Sequence, residues 1–141
     1  MTSYNVADLE KGVLHPCHGI YVQFYVEVSE GRKYLSCHMT QRSVDCGCGI
    51  PFNIASYAIL TYIIAMKVDM LPKDLIISTG DTHIYNNHIE ALSVQIKRTP
   101  YPFPILKLND IRHKSWDDLV LDDFELIGYF SHPTIKLVMN I

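Results

Sequence analysis

QRSVDCGCGIPFNIASY, residues 41–57, joins a permanently charged guanidinium (Arg42), a hydroxyl (Ser43), a carboxylate (Asp45), the small residues at 46–49 and one amide (Asn53) to the start of a long apolar run. Pro51 stands where a first helical turn tolerates proline, and Ile54, Ala58, Ile59, Tyr62, Ile63 and Met66 then recur at helical spacing. The spacing predicts a helix over 54–68 that is apolar around most of its circumference, hence central and buried. The polar residues ahead of it read as a short turn and as the floor of a ligand site, because burying so much unpaired polarity would cost several kcal/mol.

Upstream of this stretch, IYVQFYVEV at 20–28 is rich in β-branched and aromatic residues, and Ser29-Glu30-Gly31-Arg32 turns it into a second strand at 34–40. The two form an antiparallel hairpin, with Cys17 just before it and Gln41 just after. Residues 2–14 read as a strand end followed by a turn or short helix. Downstream, Leu71-Pro72-Lys73-Asp74 reads as a break, and 75–77 with 83–85 as one strand interrupted near Gly80-Asp81. A second helix is expected from Asn86 or Asn87 to Lys97, with Lys97 and Arg98 suiting the negative end of its dipole. Pro100, Pro102 and Pro104 then enforce an extended connection. Short strands follow at 105–108, 123–127 and 135–139, while 117–120 fits no element cleanly. With no repeat, low-complexity stretch or linker, a single domain over 1–141 is expected. The fold class is α+β, a mixed twisted sheet with the long helix packed on one face.

At 141 residues and 48% hydrophobic content the chain can bury a core. A net charge of -3, with both signs interspersed, gives neither a basic stripe for nucleic acid nor a polybasic membrane patch, so no partner of either kind is expected. The run 54–68, interrupted by Ser56 and Thr61, falls short of the roughly 18 to 20 residues of a membrane span. MTSYNVADLEKG lacks a basic-then-apolar leader. Without such a signal, Cys17, Cys37, Cys46 and Cys48 fit a reducing compartment, and a cytoplasmic location is expected.

Cys17 stands in the rigid turn His15-Pro16-Cys17-His18. A buried hydrophobe is the commoner role of a free cysteine. A nucleophile would need a cation to lower its pKa, and Arg42, one hairpin away, could supply it. Cys37-His38 and Cys46-Gly47-Cys48 lack a repeated zinc-module spacing, so no metal is expected, and Cys37 should point into the core. His83 and Tyr85 alternate along a strand and can reach one ligand hydroxyl, or make ordinary hydrogen bonds at a strand end. Asn53, inside an apolar helix, is either a cap or an amide whose donor and acceptor a planar imide edge would satisfy.

PCHGIYVQFYV, QRSVD, GIPFNIASYAILTY, GDTHIYNNHIE and DDFELIGYFSHPTIK together resemble the thymidylate synthase family, in its order and at roughly its spacing, over nearly the whole chain. The resemblance implies transfer of a one-carbon unit from 5,10-methylenetetrahydrofolate to dUMP, giving dTMP and dihydrofolate, without a metal. Cys17 matches the nucleophile that adds to C6 of uracil and makes C5 a carbanion-like centre. Arg42 matches the arginine that contacts the nucleotide phosphate and accompanies the thiolate, with Gln41 and Ser43 beside it. Asn53 matches the amide that reads the uracil edge, where a cytosine-selecting relative is expected to carry Asp. His83 and Tyr85 match the pair on the ribose 3′-hydroxyl. Asp45 matches a carboxylate shared by the nucleotide site and the pterin, and Gly49, Phe52 and Ile141 fall on the folate side. Cys17, Arg42 and Asp45 are thus the catalytic set, and a homodimer using the other face of the sheet is implied.

Some features depart from that pattern. The family cysteine lies near the middle of its chain, whereas Cys17 is sixteen residues from the start. The upstream part is expected to supply a glutamate for proton transfer, a tryptophan, a mobile loop with a phosphate-binding arginine, and an arginine pair that reaches the other subunit. Met1 is accordingly expected to be an internal methionine of a longer or bifunctional polypeptide, and VMNI to be the family's closing C-terminal tail. Gly47-Cys48 replaces a bulkier residue and leucine on the folate side, and Thr40 a frequent tyrosine. Two alternatives remain open: an inactive homologue that binds nucleotide or protein, and a pyrimidine nucleotide hydroxymethylase on the same fold.

Overall fold

In a computed structural model, described for residues 1–11 and 16–139, the β-rich segments form β1 (Tyr21–Ser29) and β2 (Arg32–Asp45). Glu30 and Gly31 connect them with φ of 50° and 72°, the left-handed pair whose twist matches that of a two-residue hairpin. The register sets Val22 opposite Met39 and Phe24 opposite Cys37. Because side chains alternate with period two, Val22, Cys37 and Met39 share one face, where each is almost completely buried. Tyr21, Gln23 and Tyr25 share the other. Met1 extends this edge, exchanging backbone hydrogen bonds of 2.9 Å with Val22, and a 3₁₀ turn follows at Val6–Lys11.

β2 runs five residues beyond the expected 34–40 at its far end, so Gln41, Arg42, Ser43 and Asp45 lie on a strand and not in a turn. The cause is tertiary. β3 (Leu71–His83) lies parallel to β2 and pairs Thr79 with Gln41, Asp81 with Ser43 and His83 with Asp45. The expected break at Pro72 and interruption at Gly80 are therefore both absent. Pro72 sits at the start of an edge strand, where a missing N–H is tolerated. At Gly80 a side chain would bring Cβ to 2.5 Å from the Arg42 carbonyl oxygen, so the glycine permits close pairing.

The β2-to-β3 crossover is α1 (Ile50–Lys67), entered through the turn 46–49 with Pro51 in its first turn. Parallel neighbours need such a crossover, and the helix supplies it. Asn53, Tyr57, Thr61, Ile63 and Ala65 are buried, and Tyr57 packs on Val22, Cys37 and Met39 with Phe24, Leu60, Leu75 and Ile77 around them. Full burial of a side chain such as Met39 is worth about 1.5–3 kcal/mol. Burial all round the helix does not hold: Phe52 is 74% and Ile54 48% exposed, because the sheet covers a single stripe. At 18 residues α1 is also long and apolar enough to cross a membrane, contrary to the shorter run expected. Here it packs on β2 and β3 through the stripe that carries Asn53, Tyr57 and Thr61.

A 3₁₀ turn at Asn86–His88 leads into α2 (Ile89–Gln95), shorter than the helix expected to reach Lys97. β4 (Ile105–Leu108) and β5 (Phe124–Ile127) pair antiparallel as a separate two-stranded sheet. Residues 135–139 form no strand. The Val138 carbonyl instead receives a hydrogen bond from His88, so this segment is tied down by a side chain. The mixed sheet β1-β2-β3 with α1 on one face fits the α+β class.

Candidate active site

The Cys17 loop is fastened to the sheet by backbone: the Arg42 N–H donates to the Cys17 carbonyl at 2.8 Å. Neighbouring bonds hold the same loop. Ser3 Oγ donates to the His18 carbonyl at 2.9 Å, and His18 Nδ1 lies 3.1 Å from Tyr57 Oη. Gly19, at φ 65°, leaves room for Tyr57, since a Cβ there would come within 2.0 Å of its hydroxyl. The half-buried Cys17 is thus placed beside Arg42. Cys37 is fully buried in the core as expected, and burial pushes its thiol pKa up, which keeps it neutral.

Gln41, 1% exposed, bridges strand and helix. Its Nε2 donates to the Ser43 carbonyl at 3.0 Å and to Asn53 Oδ1 at 2.9 Å. A carbonyl only accepts, so the Ser43 contact fixes which end of the Gln41 amide is nitrogen and leaves Asn53 presenting its oxygen. Gln41 thus engages one acceptor position of the Asn53 amide from within the protein. Gln41 Oε1 is buried without a partner among the described residues.

At the end of β3, His83 and Tyr85 meet edge to face with ring centroids 5.0 Å apart, and Tyr85 meets His88 at 5.6 Å. His83 Nδ1 is 3.5 Å from Asp81 Oδ2 without the alignment of a hydrogen bond. Pairing of His83 with Asp45 across β2 and β3 brings the ends of both strands to one place, and the Cys46 N–H donates to the His83 carbonyl at 3.0 Å.

The thymidylate synthase family model matches residues 1–141. The chain belongs to the thymidylate synthase family. It is 49% identical over 141 residues to the thymidylate synthase of Homo sapiens, covering 100% of this chain and 43% of that protein. To that of Saccharomyces cerevisiae it is 48% identical over 147 residues, covering 100% and 47%. To the bifunctional dihydrofolate reductase-thymidylate synthase of Zea mays it is 48% identical over 141 residues, covering 100% and 26%. The chain therefore spans less than half the length of these relatives.

In this thymidylate synthase family chain Gly49 caps α1, and a Cβ there would crowd the Asp45 carbonyl at 3.1 Å. Phe52 borders an open cleft of about 830 Å³ together with Cys48, Arg98, His132 and Lys136. Ile141 lies outside the described residues. Burial and the Asp45 carboxylate push the Cys48 thiol pKa up, so it stays protonated near neutrality. Sequence reasoning assigned no role to Tyr57 or His88, yet both buttress the site. His88 stands three residues after Tyr85, and a histidine opening a helix beside an aromatic pair was the available signal.

Proposed function

We propose that this chain carries the dUMP side of a thymidylate synthase site and takes part in the reductive methylation of dUMP to dTMP. The observation that supports it best is the backbone hydrogen bond from Arg42 to Cys17, which holds the loop of a half-buried cysteine against the strand that carries Arg42. Arg42 and Ser43 bind the phosphate, and Gln41 fixes the orientation of Asn53 so that its amide can read the uracil edge. His83 and Tyr85 hold the ribose 3′-hydroxyl. The Cys17 thiolate adds to C6, and the electron pair displaced to C5 makes that carbon nucleophilic. 5,10-Methylenetetrahydrofolate supplies the one-carbon unit and the hydride, leaving as dihydrofolate. Asp45, Gly49 and Phe52 line its side of the site, and no metal takes part in the reaction. Arg42 offsets the charge on the thiolate, and Cys17 leaves by elimination once C5 carries the methyl group.

A second copy of the chain on the uncovered face of β1 and β2 belongs to the same proposal, as does a cytoplasmic setting that keeps the four cysteines free. The test is incubation with 5-fluoro-dUMP and methylenetetrahydrofolate, followed by mass spectrometry. A covalent adduct on Cys17, lost in Cys17→Ser, is expected in the chain or in a chimera bearing the upstream segment of the yeast relative. An adduct in the chimera alone would show that upstream residues complete the site. No adduct in either would overturn the proposal.

A further inference from the structure

The turn that follows β2 brings Cys48 close to Asp45 at the strand's end and to His88 from a distant part of the chain. One ligand atom each from Asp45, Cys48 and His88 lie within 4.8 Å of one another. His88 is the telling member. Its side chain is completely buried, and its Nε2 is 2.7 Å from the Val138 carbonyl oxygen. Since that oxygen only accepts, Nε2 carries a proton, and in the Nε2–H tautomer the ring offers a lone pair at Nδ1. Among the described residues no hydrogen-bond donor meets that lone pair. Asp45 Oδ1 lies 3.8 Å from Nδ1 and itself accepts from the Gly47 N–H at 2.8 Å. Either a proton on Nδ1 or a metal cation between the two groups would pair them.

We propose that Asp45, Cys48 and His88 form a three-ligand site for a borderline divalent cation of the Zn²⁺ class, with water in the fourth position. One thiolate, one imidazole and one carboxylate suit that class better than the harder Mg²⁺ or Ca²⁺, which prefer oxygen alone. The Val138 carbonyl holds the imidazole in the ligating tautomer, as outer-shell acceptors do at built metal sites. Gly47 keeps the approach open, because a Cβ at that position would lie 2.6 Å from Nδ1. Ligand separations at tetrahedral zinc are roughly 3.3–3.8 Å. Closure from the present spacing therefore asks for a shift of about 1 Å, which a half-buried cysteine between two glycines in a turn can make. On binding, Cys48 gives its thiol proton to solvent and the metal–sulfur bond replaces the S–H bond. Sequence spacing does not disclose this set, because His88 lies 40 residues beyond Cys48. The proposal stands independently of the synthase reading, and where both hold, a bound cation competes for the Asp45 carboxylate.

The experiment is titration of the full chain with Co²⁺ alone, in buffer free of chelator and thiol, followed by displacement with Zn²⁺. A near-ultraviolet thiolate-to-cobalt band with tetrahedral visible absorption is expected, lost on adding Zn²⁺. Cys48→Ser should abolish the thiolate band and weaken Zn²⁺ binding by about 100-fold or more, since even outer-shell changes cost 10–100-fold. Cys46→Ser should leave both unchanged. His88→Gln should weaken binding similarly, and because it can also disturb folding, the turn variant Cys48→Ser carries the decision, with far-ultraviolet circular dichroism as a check. No band in the native chain, a band that survives Cys48→Ser, or one equally lost in Cys46→Ser would each overturn the proposal.

Discussion

Asn53 and Gln41 form a polar pair inside an apolar contact between helix and strand, 9% and 1% exposed respectively. Asn53→Ala leaves Gln41 Nε2 with the Ser43 carbonyl alone, beside an Oε1 that already lacks a partner. A loss of about 1–3 kcal/mol is expected in urea unfolding, with a smaller loss for Asn53→Ala when Gln41 is already leucine. Gly80→Ala tests close backbone approach. Its Cβ would meet the Arg42 carbonyl oxygen at 2.5 Å, and separating β2 from β3 there should cost about 1–3 kcal/mol by the same measurement. Asn53 was legible because an amide is costly inside an apolar helix, whereas the exposed Arg42 and half-buried Cys17 stood out only by the residue types around them. His88 was not, since a histidine among helix-starting residues carries no mark of complete burial until Val138 and Asp45 are folded against it.

Among the elements, β4 and β5 are held together by more than their ladder. Asp123, 4% exposed, accepts from Lys114 Nζ at 2.6 Å and from the Val120 N–H at 3.0 Å, and its carbonyl receives the Asn109 N–H at 2.9 Å. The Lys114 bond, then the Val120 bond, holds the Asp123 carboxyl below the usual carboxylate range. A depressed folded-state pKa contributes stability that is fully present above the unfolded value and lost as pH falls through the folded one. Stability should therefore drop as pH falls below about 4, the unfolded carboxylate value. Acid unfolding of Asp123→Asn should show a shallower slope in that window than the native chain; equal slopes would refute the assignment. The elements most legible in sequence were β1, its hairpin turn, α1 and β4, where period and turn residues agree. β3 was misread because proline and glycine signal breaks locally, whereas an edge position and a close parallel neighbour make both acceptable. Residues 135–139 were misread for the converse reason, an apolar run of strand type without a strand beside it.

At the scale of the molecule, the accessible surface of 10342 Å² exceeds the roughly 7,500 Å² expected of a monomer of 16.2 kDa. The excess is comparable to what obligate assemblies bury, and Phe103, Leu121 and Ile96, each at least 80% exposed, contribute to it. The isolated chain should accordingly bind an apolar dye and show a thermal midpoint that rises with protein concentration. A midpoint independent of concentration over a hundredfold range would argue against self-association. The hairpin offers a way to watch this. β2 runs from Arg32 beside the turn to Asp45 at the site, about 40 Å at strand rise. A side chain on Gly31 would meet nothing within 4 Å. A short fluorescent peptide spliced between Glu30 and Gly31 would ride clear of Cys17 and Asp45. The far end of the strand that carries the chemistry can therefore serve as a reporter mast, sensing when another body comes alongside without disturbing the thiol.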